Sequence, residues 1–181
     1  VNVWHWTTEE NAQAILEEGF CVDVPTRNGR LGPDISLCPN QSAVKGWWEK
    51  ISDFGGKVEC LLEIEIEDAA KILEVFQEDR QHPLMVQYAL RHGIALLNEE
   101  GRATLTEMGA RQAEDFRVAC LGVHDFSNRV LRLAAEEAGY DGMIFRQSYP
   151  FDDQEELVVW NIAVLRPTGN VQQEAEVIGK Y

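Results

Sequence analysis

The run Leu157-Val158-Val159-Trp160-Asn161-Ile162-Ala163-Val164-Leu165 constrains the fold more than any other stretch of the chain. It is uncharged, rich in β-branched residues and far short of the roughly 18 apolar residues of a membrane span. It therefore reads as one long strand, covered on both faces and central in its sheet. Gln154-Glu155-Glu156 stands at its mouth, where acidic groups can be partly desolvated and aimed into a cleft.

Around this strand the local signals alternate between strand and helix. Val3-Trp4-His5-Trp6 reads as a short strand. Thr7 is the expected N-cap of a helix over about residues 8–18, with Thr7 and Glu10 at capping-box spacing, Ala12, Ile15 and Leu16 as its apolar stripe and Gly19 as its stop. The segment from Pro25 to Pro33 is dense in turn formers and reads as a loop, and Ile35-Ser36-Leu37 as a strand. A helix starting at Pro39 carries Trp47 and Trp48. Val58, Cys60, Leu62, Ile64 and Ile66 then alternate with mostly acidic residues, as in a half-exposed strand.

From about residue 69 to 138 the pattern is mainly helical, with Leu84, Tyr88, Leu96, Leu105, Met108, Phe116, Val130, Leu131 and Leu133 as core positions. Met143-Ile144-Phe145 reads as a further strand and Tyr149 to Asp153 as a loop. The length of 181 residues suits one domain over 1–167, with the helical insertion over about 69–138 and a peripheral tail over 168–181.

Charge narrows the function classes. A net charge of −15 opposes binding to phosphate backbones, which needs clustered Lys and Arg, so nucleic acid is not the expected partner. No membrane span is expected, and cytosolic thiols are the favoured reading of Cys21, Cys38, Cys60 and Cys120, which form no C-x-x-C pair. That points to the cytoplasm, including the cytosol of a host or target cell into which the chain is delivered. Val1 opens the sequence with no signal peptide after it, which reads as a chain trimmed or excised from something longer.

Single residues say little. His82, His92 and His124 lack metal-ligand spacing, no serine sits in a G-x-S-x-G elbow, and neither G-x-G-x-x-G nor a P-loop occurs. Taken alone, His5 reads as a satisfied core histidine, Glu156 as a solvated strand end, and Trp47-Trp48 as helix packing.

Taken in order they resemble something. His5-Trp6-Thr7 before a helix ending Glu18-Gly19-Phe20, then Gly32-Pro33-Asp34-Ile35-Ser36-Leu37, then Glu156-Leu157-Val158-Val159-Trp160 resemble the three signature strands of the ADP-ribosyltransferase superfamily. The likeness is nearest to the branch of diphtheria toxin and poly(ADP-ribose) polymerase, whose motifs run H-G-[ST], G-x-G-[IV]-Y-[FL] and E-[YL]-[IV]-V-[YF]. Tyr140-Asp141-Gly142-Met143-Ile144 looks like the strand before the third motif. Ser36 stands where that branch has tyrosine, and so resembles the S-T-S motif of the arginine-specific branch.

The resemblance implies an α+β fold: a split β core of two bent, mostly antiparallel sheet halves around an NAD cleft, with a helical insertion in the middle of the chain. It implies NAD as co-substrate and no metal. His5 would hydrogen-bond the adenosine-side ribose by presenting a donor, with Thr7 nearby, and the backbone of Trp6 would meet the nicotinamide carboxamide. Trp47, eleven residues after Ser36, or Trp48 if the helix is offset by one, would stack on nicotinamide. Arg27 and Arg30 would reach the pyrophosphate, Gln154 would position an acceptor side chain, and Glu156 would be the catalytic carboxylate. The implied activity is mono-ADP-ribosyl transfer to a macromolecule, most readily a protein. An NAD glycohydrolase and a non-catalytic binding module on the same fold are the alternatives, and the oligomeric state is left open.

Overall fold

The computed structural model describes residues 1–21, 34–76, 82–92, 124–147 and 154–180. Two compact units separate by their internal contacts: one spans the described residues up to Phe76 and from Tyr140 onward, the other the described residues from His82 to Gly139. The protein is a mixed α+β chain with two sheets, of three and four strands, mostly antiparallel.

The first sheet orders β1 (Asn2–Thr7), β3 (Cys60–Ile66) and β7 (Leu165–Gln173), with β3 in the middle. The second orders β2 (Ile35–Leu37), β6 (Glu156–Val159), β5 (Gly142–Arg146) and β4 (Ile72–Phe76). β1 and β2 are edge strands. They meet in a single bridge in which Trp4 N–H donates to the Cys38 carbonyl at 3.1 Å and Cys38 N–H to the Trp4 carbonyl at 2.7 Å.

Period-two alternation sorts the side chains. Val3, Leu62, Ile64, Leu37, Leu157 and Val159 build one core from both sheets, against which Ile15 of α1 (Glu9–Glu18) packs. The opposite parity, Trp6 and Leu61, joins Ala43 and Val44 of α2 (Gln41–Asp53) and Val177 in a second cluster.

Local chemistry sets the helix ends. Thr8, not Thr7, caps α1: its hydroxyl accepts from Asn11 N–H at 3.3 Å, while Thr7 stays in β1 opposite Cys60. The strand ladder claims Thr7 before the helix can. Gly19 closes α1 at φ 82°, the left-handed region that glycine enters without a Cβ penalty. Asn40 caps α2, accepting from Ala43 N–H at 2.7 Å.

Three sequence expectations are corrected. The run from Leu157 to Leu165 is not one strand. It breaks after β6, where Trp160 and Asn161 N–H both donate to the Asp141 carbonyl, and a 3-10 turn over Ile162–Val164 then carries the chain into the other sheet. Asn161 is the cause in sequence, since its side chain accepts from Ala163 N–H at 3.3 Å and offers the backbone a turn in place of a ladder.

The stretch after Pro167 is not a peripheral tail. β7 pairs with β3 through Gln173, and α5 (Glu174–Ile178) buries Val177. The helical stretch also begins later than residue 69, because Ile72–Phe76 is a strand running parallel to β5. A parallel pair cannot be joined by a tight turn and needs a crossover of a dozen residues or more, and the chain between Phe76 and Gly142 is long enough to supply it.

In the second unit α3 (Pro83–His92) and α4 (His124–Glu137) are linked where Glu137 accepts from Arg91 at 2.6 Å and from His92 at 2.8 Å. Val130 and Leu131 are buried as expected, and Leu84, Tyr88 and Leu133 are half-buried. Leu96, Leu105, Met108 and Phe116 lie outside the described residues, as does the loop from Pro25 to Pro33. Among the described residues no helix is long and apolar enough to cross a membrane.

Candidate functional site

A cleft of about 160 Å³ opens beside the bridge between the two edge strands, lined by His5, Trp6, Ser36, Leu37, Cys38, Trp47, Ile51 and Glu156. β1 supplies His5 and Trp6, β2 supplies Ser36 and Leu37, α2 supplies Trp47 and Ile51 one helical turn apart, and β6 supplies Glu156.

Ser36 joins the two polar walls. Its hydroxyl donates to Glu156 Oε1 at 2.8 Å, and its carbonyl accepts from His5 Nδ1 at 2.9 Å. The register explains the first contact. Ser36 lies opposite Val158 in the β2–β6 ladder, so Glu156 is its diagonal neighbour on the same sheet face, within reach of a long side chain. The second follows from the edge position of β2: among the described residues no ladder takes the outward carbonyl of Ser36, which accepts from the imidazole instead.

A carbonyl only accepts, so Nδ1 of His5 carries the hydrogen. Burial pushes the His5 pKa below its ordinary value, against a smaller upward pull from the Ser36 carbonyl, which favours the neutral ring. Nε2 of that ring is an acceptor. The sequence had suggested a donor there, but the Nδ1–H is spent on Ser36. Phe20 meets the ring edge-on, with centroids 5.9 Å apart.

The indole N–H groups are committed away from the cleft. Trp6 Nε1 donates to the Val44 carbonyl at 2.8 Å and Trp47 Nε1 to the Glu155 carbonyl at 2.9 Å. Both residues therefore line the cleft with their N–H groups already satisfied elsewhere. Lys50 Nζ sits 4.2 Å from the Trp47 ring centroid, a cation–π contact that steadies the ring.

Glu155 and Glu156 are both buried, at 6% and 7% exposure, yet their surroundings differ. Glu155 pairs at 3.1 Å with Arg146, a guanidinium it shares with Glu74, and accepts from Asn40 Nδ2 at 2.9 Å. Glu156 has no cationic partner among the described residues. A carboxylate set into a cleft without a counter-charge is costly unless a ligand supplies one. Cys38 is also in the wall, but burial and then the charge of Glu156 push its pKa up, so it remains a thiol and a poor nucleophile.

The cleft thus collects His5, Trp6, Ser36, Trp47 and Glu156 of the residues singled out in sequence. It does not collect Trp48, whose Nε1 donates to Glu174 at 2.6 Å on the α5 side, nor Thr7, whose carbonyl accepts from Glu59 N–H and which is buried in the first sheet. Gln154 is exposed and is not among the lining residues, while Arg27 and Arg30 lie outside the described residues. Leu37, Cys38 and Ile51 were missed as lining residues; the position of Ile51 four after Trp47 was the available signal.

Comparison of the chain with protein-family models, with curated proteins and with solved structures finds no match.

Proposed function

We propose that the cleft binds the nicotinamide end of NAD and that the protein transfers ADP-ribose from NAD to a macromolecule, most readily a protein. The observation that carries this reading is Glu156: a buried carboxylate, held by Ser36 at 2.8 Å, facing a cleft lined by two indoles and without a cationic partner among the described residues. A planar aromatic cation answers all three features, since it stacks on the rings and supplies the missing charge. The volume near 160 Å³ suits one such ring, given that a cavity of about 150 Å³ holds a benzene. The split two-sheet core and the order His5, Ser36, Glu156 along the chain add the resemblance to ADP-ribosyltransferases.

In this reading Glu156 accepts a hydrogen bond from the 2′-hydroxyl of the nicotinamide ribose and stabilises the oxocarbenium-like charge that develops at C1′. The C1′–N bond breaks, nicotinamide leaves with the bonding pair, and an acceptor nucleophile bonds to C1′ and gives up its proton. Neutral His5 accepts a ribose hydroxyl at Nε2. Ser36 takes the place of an aromatic residue and holds the acting carboxylate, while Trp47 provides the stacking wall.

Incubation with NAD labelled in the adenylate half, alone and with cell lysate, tests this directly. Label on a macromolecule supports the transferase. Free ADP-ribose with nicotinamide would make it a glycohydrolase, and binding without consumption a binding module. Absence of NAD binding by calorimetry would overturn the reading.

A further inference from the structure

Glu155, the residue before β6, gathers four partners into one knot. Its Oε2 accepts from Asn40 Nδ2 at 2.9 Å and from Arg146 Nη1 at 3.1 Å, its Oε1 from Gln147 N–H at 3.4 Å, and its carbonyl from Trp47 Nε1 at 2.9 Å. Arg146 continues the chain of contacts to Glu74 on β4 at 2.9 Å. Asn40 uses its other side-chain atom, Oδ1, to cap α2. One residue therefore fixes the start of β6, the N-terminus of α2, the Trp47 indole and the end of β5.

We propose that Glu155 is the positioning residue of the cleft, aiming Glu156 and Trp47 at a common ligand; this rests on the reading of Glu156 as the acting carboxylate. Glu155 touches no ligand itself. Its partners leave it little freedom to turn, and the peptide that joins it to Glu156 is anchored with it. The Trp47 ring is tied to that same peptide carbonyl, so the stacking wall and the acting carboxylate move together or not at all. Arg146, shared with Glu74, pairs with Glu155, whereas Glu156 has no cationic partner among the described residues.

The distinguishing experiment compares Glu155→Ala, Glu155→Gln and Asn40→Ser in the intact chain. Two readouts are taken together: labelled-NAD turnover and the indole N–H resonances of the tryptophans. Asn40→Ser removes the donor to Glu155 but keeps a good N-cap, so a purely structural role of Asn40 is left intact. Misplacement by an ångström can cost on the order of 100-fold in rate, so Glu155→Ala should lower kcat about 10- to 100-fold with KM for NAD within about twofold. Asn40→Ser should lower it by a smaller factor at unchanged Tm. Glu155→Gln, which still accepts from Asn40 and Arg146, should recover most of the activity. The Trp47 indole N–H should shift and exchange faster in Glu155→Ala and Asn40→Ser while that of Trp6 stays put.

Wild-type kcat in both disrupting variants, or a loss that tracks Tm and is not recovered by Glu155→Gln, overturns the proposal. If Glu155→Ala does not fold, Asn40→Ser decides by the same criteria. If the unsubstituted protein consumes no NAD, the reading of Glu156 fails on its own. The clamp then stands or falls on whether the Trp47 resonance moves.

Discussion

Ser36 and Glu156 are 120 residues apart in the chain and 2.8 Å apart in the fold. The contact exists because β2 and β6 pair antiparallel with Ser36 opposite Val158, which puts the hydroxyl one diagonal step from the carboxylate. Through its carbonyl the same serine holds His5, so one short edge strand sets both polar walls of the cleft.

Glu156→Gln keeps the size and the Ser36 contact but removes the charge. Loss of a pre-organised electrostatic partner costs about 100- to 1,000-fold in kcat. NAD turnover should fall by that order, while the Kd for NAD, read by calorimetry, rises by a smaller factor that reflects the lost attraction to the cationic ring. A turnover equal to the unsubstituted protein would exclude Glu156 from the chemistry.

His5 makes stability depend on pH in a defined direction. Its folded pKa lies below the unfolded value of about 6.5, so between the two the unfolded chain binds more protons. The contribution is fully present above about pH 6.5 and is lost as pH falls toward the lowered folded value. Urea midpoints measured from pH 7.5 down to pH 5 should drop more steeply for the natural protein than for His5→Gln, with the two slopes alike above about pH 7.

Gly142 is required by close approach rather than by its φ. A Cβ built there lies 2.6 Å from the Val158 carbonyl oxygen and 3.1 Å from Val159 Cα, both backbone atoms of the neighbouring strand. Gly142→Ala must push β5 off β6, and overpacking of this kind costs about 1–3 kcal/mol. Thermal unfolding should show it, and because β6 carries Glu156 the variant should also lose turnover. An unchanged Tm would mean the ladder can give at that point.

The segment after Pro167 is part of the fold. Val177 is 3% exposed, and Val→Ala truncation in a core removes two methylene-sized groups at about 0.8 kcal/mol each plus a cavity term. Val177→Ala should therefore cost about 2 kcal/mol in denaturant unfolding. Removal of residues 168–181 should abolish cooperative unfolding, since it takes away the partners of Cys60, Leu61 and Leu62 in the β3–β7 ladder together with α5. A truncated chain that melts as sharply as the full one would contradict the role given to β7.

Trp47→Phe separates ring from tether. It keeps an aromatic wall but removes the N–H that Glu155 accepts, whereas Trp47→Ala removes both. Quenching of tryptophan fluorescence by NAD should weaken in both variants, and KM should rise clearly more in Trp47→Ala than in Trp47→Phe. Equal KM values in the natural protein and in Trp47→Ala would remove Trp47 from the ligand's path.

The sequence by itself determined what depends on a few neighbouring residues: the alternation of β3, the helix stop at Gly19, the short strands around His5 and Ser36, and the order in which His5, Ser36 and Glu156 occur. Period and turn chemistry are local, and a window of several residues holds the whole signal. Tertiary structure decided what depends on partners far along the chain. Trp47 enters the cleft and Trp48 does not because successive helical residues point about 100° apart, and only the position of β1 and β6 says which direction is the cleft. Glu155 and Glu156 look alike in sequence and are told apart by Arg146, Asn40 and Ser36. The run from Leu157 to Leu165 splits between two sheets because Asp141 and Asn161 build a turn there, and Thr168 to Gln173 becomes a strand because β3 has an open edge to pair with. A polar, mostly exposed edge strand carries no hydrophobic signature of its own, so its place in the fold is fixed by the neighbour that pairs with it.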